Sequence, residues 1–394
     1  MDKVKLGNIA VLINGDRGKN YPSQADITDE GEVPFVNAGH LNGRSIDFED
    51  MNYISKEKYD RLSSGKFEKG DILYCLRGSL GKKAIVNDDV AGAIASSLVI
   101  IRPDYEKIDG DYLMFSLDSP SIKEQLVKAN NGSSQPNLSA ASVREYQIEL
   151  PSIDVQKEVV EKLAIVRNVI DERLMELNLL DNLIKARFVE LFGNIHENRF
   201  PKCKLRDVAH IKHGYAFSGE FFSDEDNGIV LVTPGNFAIG GGFQEIKNRY
   251  FTSDYDDEYV LHPGDLIVTM TDLSKRADTL GYGAIVPDSD KVYLHNQRIG
   301  LFDYLDERLN PVFVRWYMQT DEYRLEIVRT STGSTVHHTS PDRILDSIIY
   351  LPPIDEQNKF VAFAEEVDKS KVVVQKALEK TQTLFDGLMQ KYFG

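Results

Sequence analysis

Leu150-Pro151-Ser152-Ile153-Asp154-Val155-Gln156 returns later in the chain as Leu351-Pro352-Pro353-Ile354-Asp355-Glu356-Gln357, with the first residue moved from position 150 to position 351. Working outward, further matches keep the same order. Lys5-Leu6-Gly7-Asn8-Ile9-Ala10 is echoed by Lys204-Leu205-Arg206-Asp207-Val208-Ala209, and Val33-Pro34-Phe35-Val36-Asn37-Ala38-Gly39 by Ile229-Val230-Leu231-Val232-Thr233-Pro234-Gly235. Lys69-Gly70-Asp71-Ile72-Leu73 pairs with Pro263-Gly264-Asp265-Leu266-Ile267, and Ala84-Ile85-Val86 with Ala284-Ile285-Val286. Asn131-Gly132-Ser133-Ser134 matches Thr332-Gly333-Ser334-Thr335, and both halves close on Phe-Gly, at Phe192-Gly193 and Phe393-Gly394. One such pair could be chance, but a shared order at near-constant offset marks a duplication. The repeat is far longer than a solenoid unit of 20–45 residues. It reads as a domain with a connector, written twice, and two such units tend to relate by a pseudo-twofold axis.

Within a unit the first part mixes strands and helices. Gly70-Asp71 turns into the apolar run Ile72-Leu73-Tyr74-Cys75-Leu76, which predicts a buried strand; Ala84-Ile85-Val86 and Ser97-Leu98-Val99-Ile100-Ile101 predict two more. Arg77 to Lys83 reads as a loop. Tyr112 to Val127 has helical spacing and breaks at Asn130-Asn131-Gly132. The second unit follows suit, with a longer insertion from Asp272 to Gly283.

After the repeated motif the texture changes. Pro151 stops the preceding strand, and Asp154 is expected to cap a helix by accepting a backbone N–H. From Val155 to Leu191 there is neither Pro nor Gly, and apolar residues recur at threes and fours: Val159, Leu163, Val166, Ile170, Leu174, Leu177, Ile184, Phe188, Leu191. That spacing predicts a long amphipathic helix with a coiled-coil-like seam. The second copy, Glu356 to Phe393, carries Phe360, Phe363, Val367, Val374, Leu378, Phe385, Leu388 and Tyr392, with a weaker stretch near Ser370-Lys371. Each helix spans about 37 residues, roughly 55 Å. A pseudo-twofold would pack them antiparallel, with a head at each end of a shared rod; two separate helices, each on its own domain, is the competing arrangement. The expected fold class is mixed α/β (α+β): two similar globular domains joined by two long helices packed as an antiparallel coiled coil.

Composition bounds the function. The chain has 394 residues, 42% hydrophobic and 27% charged, which suits two or more folded domains. No apolar run approaches the roughly 18 residues of a membrane-spanning helix, and Met1 to Leu6 lacks the apolar core of a signal peptide. Cys75 and Cys203 are the two cysteines, with no CxxC, so a disulfide framework or cysteine zinc site is not expected and a reducing cytoplasm is. The net charge of −16 argues against gripping DNA by bulk charge; such binding must rest on local basic patches or on partners.

A rigid spacer between two similar heads suits the reading of two points on a long polymer, and on duplex DNA such heads must sit near whole helical turns apart. Heads with a shared framework and different loops imply two different half-sites. The order of variable domain, Leu-Pro-x-Ile-Asp-x-Gln, long helix, variable domain, Leu-Pro-Pro-Ile-Asp-Glu-Gln and long helix resembles the specificity subunits of type I restriction–modification systems over nearly the whole chain. Ser152 and Val155 of the first motif, where the second has Pro353 and Glu356, are a minor departure. The resemblance implies target-recognition domains at 1–150 and 195–350, and conserved helical regions at 151–194 (the spacer) and 351–394. It implies sequence-specific binding of double-stranded DNA at an asymmetric bipartite target, with no catalysis in this chain. It further implies two methyltransferase subunits that bind S-adenosylmethionine and methylate adenine, and restriction subunits that use ATP and magnesium. No cofactor is expected in this chain itself.

Base edges are read by Arg, Lys, Asn, Gln, Ser and Thr on loops that enter a groove. The loop from Asn130 to Asn137 offers Ser133, Ser134, Gln135 and Asn137; its counterpart from Ser331 to His338 offers Ser334, Thr335, His337 and His338. An ordinary turn before the last strand is the competing reading. Arg77 with Lys82 and Lys83, and Lys275 with Arg276, form the best local basic patches, and Arg44 beside His40 and Asn42 is a weaker one; solvated surface charge is the alternative for each. Adjacent histidines point different ways and no carboxylate or cysteine cluster joins them, so no metal site is expected. Gly240-Gly241-Gly242 does not fit a phosphate-binding fingerprint. Glu245-Ile246-Lys247 lacks the Pro-Asp partner of a nuclease, and there is no Asn-Pro-Pro-aromatic methyltransferase motif. The matched Asp71/Asp265 and Asp154/Asp355 pairs fall at turn or cap sites, which argues against a duplicated enzyme. Two alternatives stand beside the main reading: a non-catalytic scaffold holding two protein partners, and a specificity subunit of a related type IIB/IIG-like system.

Overall fold

The computed structural model describes residues 3–130, 136–197, 199–274, 276–333 and 335–394. The chain divides into two compact units: Met1–Met175 with Gln375–Gly394, and Glu176–Val374.

In the first unit, an antiparallel sheet is ordered Ala10–Asn14, Leu98–Pro103, Ile72–Cys75, Lys83–Ile85. A second sheet is ordered Tyr53–Ile54, Val33–Val36, Gly92–Ile94, Lys66–Phe67, with a parallel pair at its centre. The strand Ile72–Cys75 is buried along its whole length, as its unbroken apolar run requires. Helix α1 (Lys56–Arg61) lies between two strands of the second sheet; α2 (Gly110–Asp118), α3 (Pro120–Ala129) and α4 (Ala140–Arg144) follow the first. The pair Lys3–Lys5 with Gln147–Glu149 brings the chain back to the head of α5 (Ile153–Phe192). The single helix expected over 112–127 is thus two. Pro120 cannot continue a helix, and the Ser119 hydroxyl accepts the Ile122 N–H at 3.2 Å to cap the new one.

The second unit repeats the plan: Ala209–His213, Ile299–Leu305, Leu266–Thr269, Gly283–Ile285 in one sheet, and Phe222–Ser223, Arg249–Phe251, Ile229–Val232, Val292–His295, Val260–Leu261 in the other. Helices α6 (Pro311–Tyr317), α7 (Asp321–Thr330) and α8 (Pro341–Leu345) lead through Ile348–Tyr350 to α9 (Ile354–Phe393). Both long helices start within the motif, so Asp154 and Asp355 lie inside the first turn and are not the residues before it. They still favour the helix by placing negative charge at its positive end.

Within each unit the two long helices run antiparallel. In the first, Val159, Leu163 and Ile170 of α5 share a core with Phe385, Met389 and Phe393 of α9. In the second, Ile184, Phe188 and Phe192 share one with Phe360, Ala364 and Val367. The heads close over these seams: the Tyr112 ring lies 5.1 Å from Phe393, tilted against it, and Phe188 meets Phe313 at 5.6 Å and Phe360 at 5.2 Å. Each fully buried Phe contributes about 2 kcal/mol from transfer alone. Since α9 follows the second head in sequence and yet ends on the first unit's core, the arrangement of two separate helices does not hold. The weak stretch at Ser370-Lys371 stays helical. There Lys371 reaches Asp181 of α5 at 2.6 Å and Asp368 at 3.2 Å.

Candidate nucleic-acid interface

The same two loops meet in both units. In the first, the residue after the buried strand, Arg77, forms an antiparallel bridge with Asn137. The Leu138 N–H donates to the Leu76 carbonyl at 2.8 Å, and the Gly78 N–H to the Pro136 carbonyl at 3.2 Å. In the second, Thr271–Asp272 pairs with His337–His338, and the Thr339 N–H donates to the Met270 carbonyl at 2.9 Å. Sequence segments about 60 residues apart are therefore joined by backbone at equivalent places.

Around this bridge the first unit sorts its candidates sharply. Arg77 is exposed, and no carboxylate pairs with it among the described residues. Asn137 is half-buried; its N–H donates to the Asn130 side chain at 3.1 Å. Ser133, Ser134 and Gln135 lie outside the described residues. Lys82 is partly covered, its ammonium donating to the Ala38 carbonyl at 2.9 Å. Two expectations need correction. Lys83 is 3% exposed and its ammonium is bonded to Asp118, so it braces the sheet against α2 and offers nothing to a ligand. Burial also pulls its pKa down, against the opposing effect of Asp118. Arg44 is spent as well: its guanidinium bonds Asp111 at 2.5 Å and lies 4.8 Å from the centre of the Phe115 ring.

In the second unit the inserted loop is built around Asp272. Its buried carboxylate accepts N–H groups from Ser274, at 2.5 Å, and Thr279, and the Thr279 hydroxyl at 2.6 Å. Burial alone would raise this carboxyl; the bonds from Thr279 and Ser274 outweigh it and hold it below the usual range. Arg324 braces the far side, donating to the Ala277 carbonyl at 2.8 Å and stacking 3.9 Å from the Tyr282 ring centre. This frame presents Arg276, which is exposed; Lys275 and Ser334 lie outside the described residues. Thr335 and His338 are exposed, with His338 Nδ1 at 3.2 Å from the Thr271 hydroxyl. His337 departs from expectation: both its ring nitrogens are covered, so its backbone pairing with Asp272 is its visible role.

The sequence reading missed a third segment beside each bridge. The Met270 N–H donates to the Arg298 carbonyl at 2.9 Å, and the Leu76 N–H to the Ser97 carbonyl at 2.8 Å. Arg298 is exposed, and Arg17 reaches the same place in the first unit by donating to the Ser96 carbonyl at 3.3 Å. The polar run Asn296-Gln297-Arg298 between two strands was the available signal. Among the described residues no group of three or more metal-ligating side chains gathers, and no helix is long and apolar enough to cross a membrane.

A tandem pair of mixed sheet-and-helix heads on two long helices is a defined class of protein. Residues 1–179 and 199–381 match the family described as the type I restriction modification DNA specificity domain, and the chain belongs to that family. The chain is 23% identical, over 97% of its length and 91% of the relative's, to the type I restriction enzyme MjaVIII specificity subunit of Methanocaldococcus jannaschii. It is 29% identical to the EcoBI specificity subunit of Escherichia coli over 41% of this chain and 37% of that one. Its fold is similar to that of the type I restriction–modification S subunit from M. genitalium, with a TM-score of 0.56 at 14% identity, covering 100% of this chain and 96% of that one.

Proposed function

We propose that this chain reads an asymmetric, bipartite double-stranded DNA sequence and directs adenine methylation or restriction by partner subunits without catalysing either reaction. Residues 1–150 and 195–350 serve as the two target-recognition domains, and 151–194 and 351–394 as the helical regions. Two methyltransferase subunits supply S-adenosylmethionine chemistry, and restriction subunits supply the ATP- and magnesium-dependent steps, in the cytoplasm.

One observation carries this reading: the joined loop pair recurs on heads whose frameworks match and whose loops do not. A repeated framework with divergent tips suits two readers of the same polymer with different sequence preferences. Arg77, Arg276, Thr335 and His338 stand at those tips, with Arg17 and Arg298 beside them; Asn137 and Lys82 support them. The net charge of −16 fits a chain that binds DNA in company and not alone.

Mobility shift on random-sequence duplex, with and without methyltransferase partners, tests the reading, together with single-molecule mapping of methylated adenines in host DNA. Binding that needs the partners, and methylation at one split motif, is expected. No DNA binding in any assembly would leave a scaffold for two proteins instead. Lengthening both long helices by two turns should change the spacer of the motif and leave its half-sites alone. Changed half-sites with an unchanged spacer would refute the division of labour.

A further inference from the structure

The second unit carries a groove that none of the loop residues above explains. Tyr215, Phe217, Phe221, Phe251 and Tyr259 line an open space of about 580 Å³. Tyr215 lies 4.9 Å from Tyr259 and 5.1 Å from Phe217, the latter edge to face, and Phe217 stands edge-on to Phe251 at 4.9 Å. Phe251 is buried and forms the floor, while Tyr215 is 50% exposed and Phe221 38%. The lining is completed by carboxylates, Asp254, Asp256 and Glu258. At one side the ammonium of Lys212 already sits 5.3 Å from the Tyr259 ring centre, with Glu258 at 3.4 Å.

Ring faces and carboxylates attract the same kind of ligand. The π-face is negative and holds a cation, most strongly where water is partly excluded. A guanidinium adds planar stacking and paired donors that match a carboxylate, which an ammonium cannot. The same carboxylates repel phosphate, so a nucleic acid backbone is a poor occupant.

The first unit is built differently at the corresponding place. Gly15 and Gly214 are equivalent, each pressed so closely on a neighbouring carbonyl that a Cβ would come within 2.9 Å of Ala95 O and 2.3 Å of Asn296 O. The next residue is Tyr215 in the second unit and Asp16 in the first. Asp16 is buried and accepts N–H groups from Gly18 at 2.7 Å and Ser63 at 2.8 Å. The exposed Tyr215 that borders the groove in the second unit is thus replaced in the first by a buried, hydrogen-bonded carboxylate.

We propose that this groove docks an arginine-bearing segment of a partner protein, one segment per chain. The proposal stands independently of the DNA reading. Its probe is a fluorescein-labelled peptide with two arginines spaced by glycine, titrated against the full-length chain and followed by anisotropy. Binding at one peptide per chain is expected. It should weaken at least about fivefold in Tyr215→Ser, and similarly in an Asp254→Asn/Glu258→Gln double variant. A lysine version of the peptide should bind several-fold more weakly. Asp88→Asn/Asp89→Asn, which removes equal charge from exposed sites in the first unit, should change nothing. Wild-type affinity in both groove variants would overturn the proposal, as would equal weakening by the Asp88/Asp89 variant, which would mean diffuse attraction to an acidic chain. A single-stranded oligonucleotide that displaces the peptide from wild type, and binds less well to Tyr215→Ser, would also overturn it by assigning the rings to nucleobases.

Discussion

Gln156 Oε1 accepts the backbone N–H of Asp109 at 2.8 Å, and its amide nitrogen donates to the carbonyls of Lys107 at 3.0 Å and Pro151 at 2.9 Å. Gln357 repeats the arrangement in the second unit, with the Asn310 N–H at 2.9 Å and the carbonyls of Arg308 and Pro352 at 2.8 Å each. Both side chains are fully buried. Asp109 and Asn310 are themselves the N-caps of α2 and α6. The last residue of the repeated motif thus clamps the first turn of each long helix to the helix of the head beside it.

That clamp predicts a specific pattern of damage. Gln156→Ala or Gln357→Ala leaves a buried N–H and two buried carbonyls without partners, at a cost of roughly 2–4 kcal/mol each. The near-isosteric Gln→Glu change should cost as much or more, since it loses both donors and brings a carboxylate beside two carbonyl oxygens. Urea denaturation of each variant measures this. A loss under about 0.5 kcal/mol for Gln156→Ala would show that the clamp is not a source of stability.

The motif was legible, but its purpose was not. A glutamine in the first turn of an amphipathic helix is ordinarily a surface residue, and two of its three partners lie 47 and 49 residues earlier in the chain. The long helices were readable because apolar spacing is local. The split at Pro120 was readable too, and was overridden by the apolar spacing on either side. The bridge of Arg77 with Asn137 was beyond reach, because it depends on how two distant loops return to one place. Lys83 misled for the opposite reason. Beside Lys82 it looks like half of a surface patch, but it opens the strand Lys83–Ile85, whose alternation turns neighbouring side chains to opposite faces. Its partner Asp118 is 35 residues away.

The Lys83–Asp118 pair should respond asymmetrically to mutation. Lys83 is buried while the Asp118 side chain is 50% exposed. Asp118→Ala leaves an ammonium without a counter-charge inside the head, at a cost of about 3 kcal/mol. Lys83→Met leaves a carboxylate that water can solvate and fills the same space with an apolar chain, costing under about 1 kcal/mol. Thermal melts of the two variants decide it, and equal losses would mean that the pair acts as a simple surface ion pair.

A buried histidine in the second unit makes a pH prediction. His295 is 1% exposed, and its Nε2 lies 2.8 Å from the Ile299 carbonyl. A carbonyl only accepts, so Nε2 carries the proton and Nδ1 is bare; Nδ1 has no partner among the described residues. Burial pushes the pKa down to about 4, aided by Lys212 and His213 nearby. The unfolded chain takes up this proton near the ordinary value of 6.5, so between pH 6.5 and 4 the unfolded state binds more protons and stability falls as pH falls. The full loss is about 3 kcal/mol. In His295→Ala, which removes the titrating ring, the urea midpoint should decline less steeply over this range. Identical slopes in variant and wild type would assign the pH dependence to other groups.

The sorting of basic residues at the loop bridge yields the last prediction, which rests on the proposed DNA reading. Each cation that neutralises a phosphate contributes close to one unit to the slope of log affinity against log salt. Arg77 is exposed with no carboxylate on it among the described residues, and Arg276 is exposed on a loop framed by Asp272 and Arg324. In the complex with methyltransferase subunits, Arg77→Ala and Arg276→Ala should each lower the slope by about one and weaken binding several-fold at moderate salt. Lys83→Met should leave the slope unchanged, because the ammonium it removes already faces Asp118. Arg44→Gln should do the same, because that guanidinium is held by Asp111 and the Phe115 ring. Both pairs of variants change formal charge by the same amount, so bulk electrostatics predicts four equal slopes. A difference between the pairs locates the phosphate contacts at the bridge, and four equal slopes would remove the bridge from the interface.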